Sequence, residues 1–203
     1  MAVKTFDYVI SLGPACRTGY QIRRLFGSKY CVPSVFDRQI TPVPMIVEYF
    51  RRDFRGFFER QDLVQGERFS DVRNTRFGTV HPHDISVPID IGYAKARARH
   101  DRLCDNVRNA LASSHRVLFV ALDTGYQPFE LEISSVIAAI NPRLRFDVVL
   151  VKDAGIPTRA EPNAWKGDDA PWDEALQLHR IAWRGAMLIS RQRLMRHLES
   201  MRF

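Results

Sequence analysis

A continuous apolar run, Val117 to Leu122, and a second buried strand, Phe146 to Val151, apolar but for Asp147, set the terms on which this chain can fold. A run of that kind does not alternate, so a strand made from it presents apolar side chains on both sides and must be covered on both faces. Between the runs, Phe129, Ile133, Val136, Ile137 and Ile140 recur at helical spacing from about Gln127 to Ile140, and Asn141-Pro142 then breaks the chain. The N-terminus repeats the arrangement. Asp7 to Gly13 reads as a short strand ending at a glycine turn, and Ala15, Gly19, Ile22 and Phe26 follow as one helical face stopped by Gly27. Strands alternating with helices predict an α/β fold: three layers, a mainly parallel sheet with helices on both faces. In such sheets ligands bind beyond the carboxyl ends of the strands. Gly13–Cys16, Asp123–Tyr126 and Lys152–Gly155 are predicted to emerge there.

The rest of the chain is less regular. Tyr30 to Ile40 is short and mixed. A second helix is predicted from Pro42 or Pro44, with Ile46, Tyr49, Phe50, Phe54 and Phe57 as its buried stripe. From about Gln61 to Asp90 the periodicity fails, with only weak strand signals near Arg76–Val80. A third helix spans roughly Tyr93 to Ser113. Pro157 to Pro171 reads as a loop, Pro171 opens a short helix, and a last helix covers about Ser190 to Met201. There is no internal repeat, and residues 1–203 are expected to form a single domain.

Composition narrows the partners. Thirty basic and 23 acidic side chains give a net charge of +7, which draws anions without choosing among them. No window approaches the roughly 18 consecutive apolar residues of a membrane span, and no secretory leader is readable. The three cysteines, Cys16, Cys31 and Cys104, are few and odd in number and form no C-x-x-C pair. That pattern predicts a reducing, cytoplasmic setting and argues against a disulfide scaffold or a zinc site. Gly13 stands alone: there is no G-x-G-x-x-G, no G-x-x-x-x-G-K-[ST] and no G-x-S-x-G, so no nucleotide cofactor is signalled. Arg51, Arg52, Arg55 and the arginines of the last helix motivate an anionic partner. The charge is dispersed and no nucleic-acid motif accompanies it, which argues against nucleic acid.

Three groups of residues have chemistry to offer. Cys16 falls in the first turn of the first helix, where the dipole and free N–H groups favour thiolate and can hold an oxyanion; a small packing residue would occupy the same place. His81-Pro82-His83-Asp84 is the densest polar group. An imidazole there can serve a thiol as general base, with a carboxylate to orient it, or the turn can be an idle surface loop. A metal would need further ligands, and none is identified. Gly167-Asp168-Asp169, flanked by Trp165 and Trp172, can orient a histidine or cap the helix that follows. His100, His115, His179 and His197 are expected to be solvated, and Cys104 to lie in the core.

Taken together, Asp7 to Cys16, Leu25, Val35-Phe36-Asp37, His83-Asp84, Val117 to Val120 and Trp165 to Trp172 resemble a family of uncharacterised proteins. It is a domain of unknown function described as a papain-like cysteine peptidase. The resemblance runs from about residue 6 to residue 177, and I-S-L-G-x-x-C and His83-Asp84 are its most specific parts. It implies that Cys16 is the nucleophile and His83 its base, supported by Asp84, Asp169 or Asp37. Gly13, Arg17, Asp37 and Trp172 are the substrate-binding candidates. The sequence departs from the family at Val35-Phe36-Asp37-Arg38, where a proline and then Phe-Asp-Trp is usual. It departs again at Gly167-Asp168-Asp169, where Gly-Asn-Asp is common. A papain-like enzyme carries its histidine on an antiparallel sheet, whereas the pattern here is alternating, so chemistry and topology are separate expectations. The reading is a thiol-dependent hydrolase, cysteine peptidase-like, acting on a small-molecule, peptide or acyl substrate without a cofactor. An acyltransferase, or a non-catalytic domain binding an anionic metabolite or polymer, is the alternative.

Overall fold

The computed structural model describes residues 3–66, 71–85, 88–153 and 163–182. In chain order the elements are β1 (Lys4–Phe6), β2 (Tyr8–Ser11), α1 (Cys16–Phe26), β3 (Cys31–Val32), α2 (Val43–Arg51), β4 (Leu63–Gln65), β5 (Val72–Asn74), β6 (Val80–His81), α3 (Ile89–Leu111), β7 (Arg116–Leu122), α4 (Phe129–Ile140), β8 (Arg145–Val151), α5 (Ala170–Leu176) and β9 (His179–Ile181). The apolar runs form the centre. β3, β2, β7 and β8 lie side by side in that order, all parallel, with Ile10 opposite Phe119 and Phe119 opposite Val148.

The pleat sorts their side chains to two sides. Ile10, Val117, Phe119 and Ala121 pack with Tyr49 and Phe50 of α2, Leu103 and Val107 of α3, and Ile133 and Ile137 of α4. Val9, Leu118, Val120 and Val151 pack with Ile22 of α1 and with Trp172 and Leu176 of α5. This is the expected three-layer α/β fold. The chain steps from β2 through α1 to β3 in one direction and from β7 through α4 to β8 in the other, and the two helices cover opposite faces. Right-handed crossovers require that when the direction reverses. The reversal falls between β2 and β7, and it is at such a reversal that open α/β sheets form their ligand crevice.

Three local readings change. The stripe foreseen through Phe57 leaves the helix early, because Asp53 and Phe54 adopt φ of 49° and 58° and Phe54 N returns to Tyr49 O at 2.7 Å, closing α2. Phe54 and Phe57 remain buried beside it. The stretch from Gln61 to Asp90 contains an antiparallel sheet, β4-β5-β6, seated on the first half of α3 through Phe58, Leu63, Val72 and Ile89. The strand signal near Arg76 belongs to the turn between two of its strands. Asn74 makes that turn, its Oδ1 accepting from Arg76 N and Phe77 N at 3.0 Å and its amide donating to Phe57 O at 2.8 Å. α3 starts at Ile89, after Pro88, rather than near Tyr93. A short parallel pair, β1 with β9, was not foreseen. The helix expected at 190–201, and the part of the expected loop over 157–162, lie outside the described residues. Among the described residues no helix is long and apolar enough to cross a membrane.

Candidate active site around Cys16

β2 ends in a turn that aims α1 back over the sheet. Gly13 takes φ +82°, the left-handed region that favours glycine. Its carbonyl accepts from Leu122 N at 2.9 Å and from Thr18 Oγ1 at 2.8 Å, which ties the turn to β7 and to α1. Pro14 O accepts from Thr41 N at 2.8 Å, drawing in the segment after Asp37. Gly13 therefore shapes the backbone of the site. No side chain caps α1, so Cys16 stands first in a helix whose N–H groups face the thiol.

Of the three cysteines, Cys16 is half-buried while Cys31 and Cys104 are buried. Burial is the largest influence on Cys16 and pushes its thiol above the ordinary value. Its own N–H, the Arg17 charge and N–H, and Arg23 pull the other way and lose. The helix start favours a thiolate and burial works against it, with the stabilising groups already in place. Burial pushes Cys31 up to about 12, and Cys104 further still.

His83 is exposed. Its carbonyl accepts from Arg38 Nη2 at 3.1 Å, which fixes the turn but leaves the ring outward. The neighbouring His81 is fully buried, with Nε2 at 3.0 Å from Thr79 Oγ1 and Nδ1 3.9 Å from Asp84 Oδ2. Asp84 thus faces His81 rather than His83. Its Oδ1 accepts from Arg38 Nε at 2.8 Å. Burial opposes ionisation of Asp84, but His81 and Arg38 outweigh it and hold the carboxyl below the usual range.

The remaining candidates divide. Arg17 and Trp172 form one buried anchor: Arg17 Nη1 is 2.9 Å from Asp153 Oδ2, Trp172 Nε1 donates to the same oxygen at 3.1 Å, and Arg17 Nε donates to Trp165 O at 3.1 Å. A Cβ on Gly167 would fall 2.4 Å from that Asp153 oxygen, so only glycine lets this loop close over the pair. Asp169 is exposed, and its Oδ1 accepts from Gln21 Nε2 at 2.8 Å and pairs with Arg24 at 3.2 Å. Asp168 Oδ1 accepts from Ala170 N at 3.1 Å, opening α5. The Trp165–Trp172 segment is thus a clamp between β8 and α1.

Asp37 is buried against α1. One oxygen pairs with Arg23 at 3.2 Å and accepts from Ser34 N at 3.1 Å. The other has no hydrogen-bond partner among the described residues, and it would lie 2.3 Å from a Cβ placed on Gly19. Burial raises this carboxyl above its ordinary value, against Arg23, Ser34 and the Ser11 hydroxyl.

Sequence reading missed a second polar group beneath the site. His100, expected in solvent, is 6 % exposed. Its Nε2 lies 3.2 Å from Tyr49 Oη and its Nδ1 3.6 Å from Cys104 Sγ, while Tyr49 and Thr41 share the Gln39 amide. The available signal was the spacing: His100, Leu103, Cys104 and Val107 fall on one face of α3. Among the described residues no group of three His, Cys, Asp or Glu side chains is arranged to hold a metal ion.

Compared with protein-family models, with curated proteins and with solved structures, the chain finds no match. Function rests on the site itself.

Proposed function

We propose that the protein is a thiol-dependent acyl-transfer enzyme, with Cys16 as nucleophile and His83 as its base, releasing the acyl group to water or to another acceptor. One observation carries the reading: of three thiols, the half-buried one heads a helix at the carboxyl edge of a parallel sheet, beside the strand-order reversal, with backbone N–H groups around its sulfur.

Burial holds the thiol up, so in this scheme its proton leaves as sulfur attacks. An exposed imidazole is suited to take it. His83 accepts the Sγ proton, sulfur bonds to the acyl carbon, and the N–H groups of Cys16 and Arg17 receive the negative charge on the carbonyl oxygen. Collapse expels the leaving group with the imidazolium proton and leaves a thioester. His83 then deprotonates the acceptor, whose attack frees the acyl product and restores the thiol. Asp84 serves this scheme by fixing the turn through Arg38, and the likeness of I-S-L-G-x-x-C and His83-Asp84 to a thiol peptidase-like family agrees with the pairing.

p-Nitrophenyl acetate tests it. The expected result is a burst of about one p-nitrophenolate per chain, lost in Cys16→Ala and slowed by about 10²-fold or more in His83→Ala, the usual worth of a general base. A burst of equal size from Cys16→Ala would overturn the reading.

A further inference from the structure

Two arginines at the His83 turn take no proton and form no bond in this chemistry. Arg38 sends Nε to Asp84 Oδ1 at 2.8 Å, and Arg99, from the middle of α3, brings Nη1 to the same oxygen at 3.5 Å. The carboxylate is the buried anchor of the pair of guanidiniums. Asp84 is the inner partner, its side chain 11 % exposed, while Arg38 and Arg99 are 39 % and 30 % exposed. Asp84 turns its second oxygen toward His81. One inward carboxylate therefore fixes two guanidiniums and neutralises only one. A guanidinium carries five N–H donors in a rigid fork, and Arg38 spends Nε on Asp84 and Nη2 on the His83 carbonyl, with both arginines partly exposed.

We propose that Arg38 and Arg99 form a subsite for an oxyanion, the carboxylate or phosphate of the substrate acted on at Cys16. Forks held by a buried anchor are preorganised for the bidentate contacts such groups make. The location suits the role. Arg38 follows Asp37, whose carboxyl rests on α1 at Gly19, one turn past Cys16, and it also holds the His83 carbonyl. It thus joins the segment beside the nucleophile to the turn that carries the base. The subsite stands on the arginine geometry alone; its service to the substrate rests on Cys16 being the reactive centre.

Calorimetric titration of the full chain with inorganic phosphate, and separately with succinate, at low salt reads the subsite. Saturable binding is expected for wild type and for Cys16→Ala. Arg99→Gln, which keeps the Arg38–Asp84 pair, should weaken it about tenfold, the loss of one charge-assisted contact. The stronger of the two probes identifies the oxyanion. No binding of either probe, or equal binding by wild type, Arg99→Gln and Arg38→Gln, overturns the subsite. The link to the sulfur is read by alkylation. Arg99→Gln should slow labelling of Cys16 by iodoacetate several-fold more than labelling by iodoacetamide, and an unchanged ratio overturns that link. Phosphate binding that persists in a protein whose Cys16 proves inert would sink the thiol chemistry and leave the subsite standing.

Discussion

Gly19 shows how narrowly single atoms set this site. Its missing Cβ is the space into which the Asp37 carboxyl fits, at what would be 2.3 Å. Asp37 is pinned by Arg23 and Ser34 and has little room to yield. Gly19→Ala is expected to destabilise the fold by about 1–3 kcal/mol, as overpacking does. In denaturant melts the cost should shrink in an Asp37→Ala background, because the clash is then gone. His100 makes the second residue-level prediction. Burial lowers its pKa from 6.5, so the folded chain holds it neutral while the unfolded chain takes up the proton first as pH falls. Its contribution to stability is complete above pH 6.5 and is lost as pH drops from there toward the lower folded value. Melting curves from pH 7.5 to 5 should slope less for His100→Gln than for wild type. Neither effect is legible in the sequence. Gly19 reads as one more small residue on a helical face, and Tyr49, which meets Nε2 of His100, arrives from α2, 51 residues away.

Elements were legible where one pattern ran long enough. β7, α4 and β8 fall within one or two residues of their expected limits, because an apolar run and a 3.6-residue stripe each bury themselves in one way. α2 was overextended because Phe54 and Phe57 are buried for another reason, a turn folded back on Tyr49, and apolar content alone does not separate the two cases. The β4-β5-β6 sheet was missed because its strands are two or three residues long and are set by the Asn74 turn rather than by alternation. The Trp165–Trp172 segment was expected to offer catalytic and binding residues. The structure gives its conspicuous residues a clamping role, and that is testable. Arg17→Ala would take the guanidinium away from the buried Asp153 carboxyl and should cost about 3–5 kcal/mol. Arg17→Ala with Asp153→Ala should cost less than the two single changes summed, as read from urea unfolding midpoints.

At the scale of the molecule, the order β3-β2-β7-β8 decides what the site can be. It brings the loop after β2 and the loop after β7 to one edge at the reversal, and it sets Cys16 there at the head of α1. The helices beneath remove Cys31 and Cys104 from solvent. A parallel three-layer sheet is not a papain-like topology, so resemblance of sequence and physical reading agree on the thiol while differing on its scaffold. The central claim is that this architecture singles out one sulfur for reaction. Site-resolved mass spectrometry of the native protein during iodoacetamide labelling measures that most directly. The account predicts that Cys16 labels at least about tenfold faster than Cys31 or Cys104, both of which burial keeps protonated, and that its rate climbs with pH past 9.0. Slow labelling at one common rate for all three cysteines would contradict it.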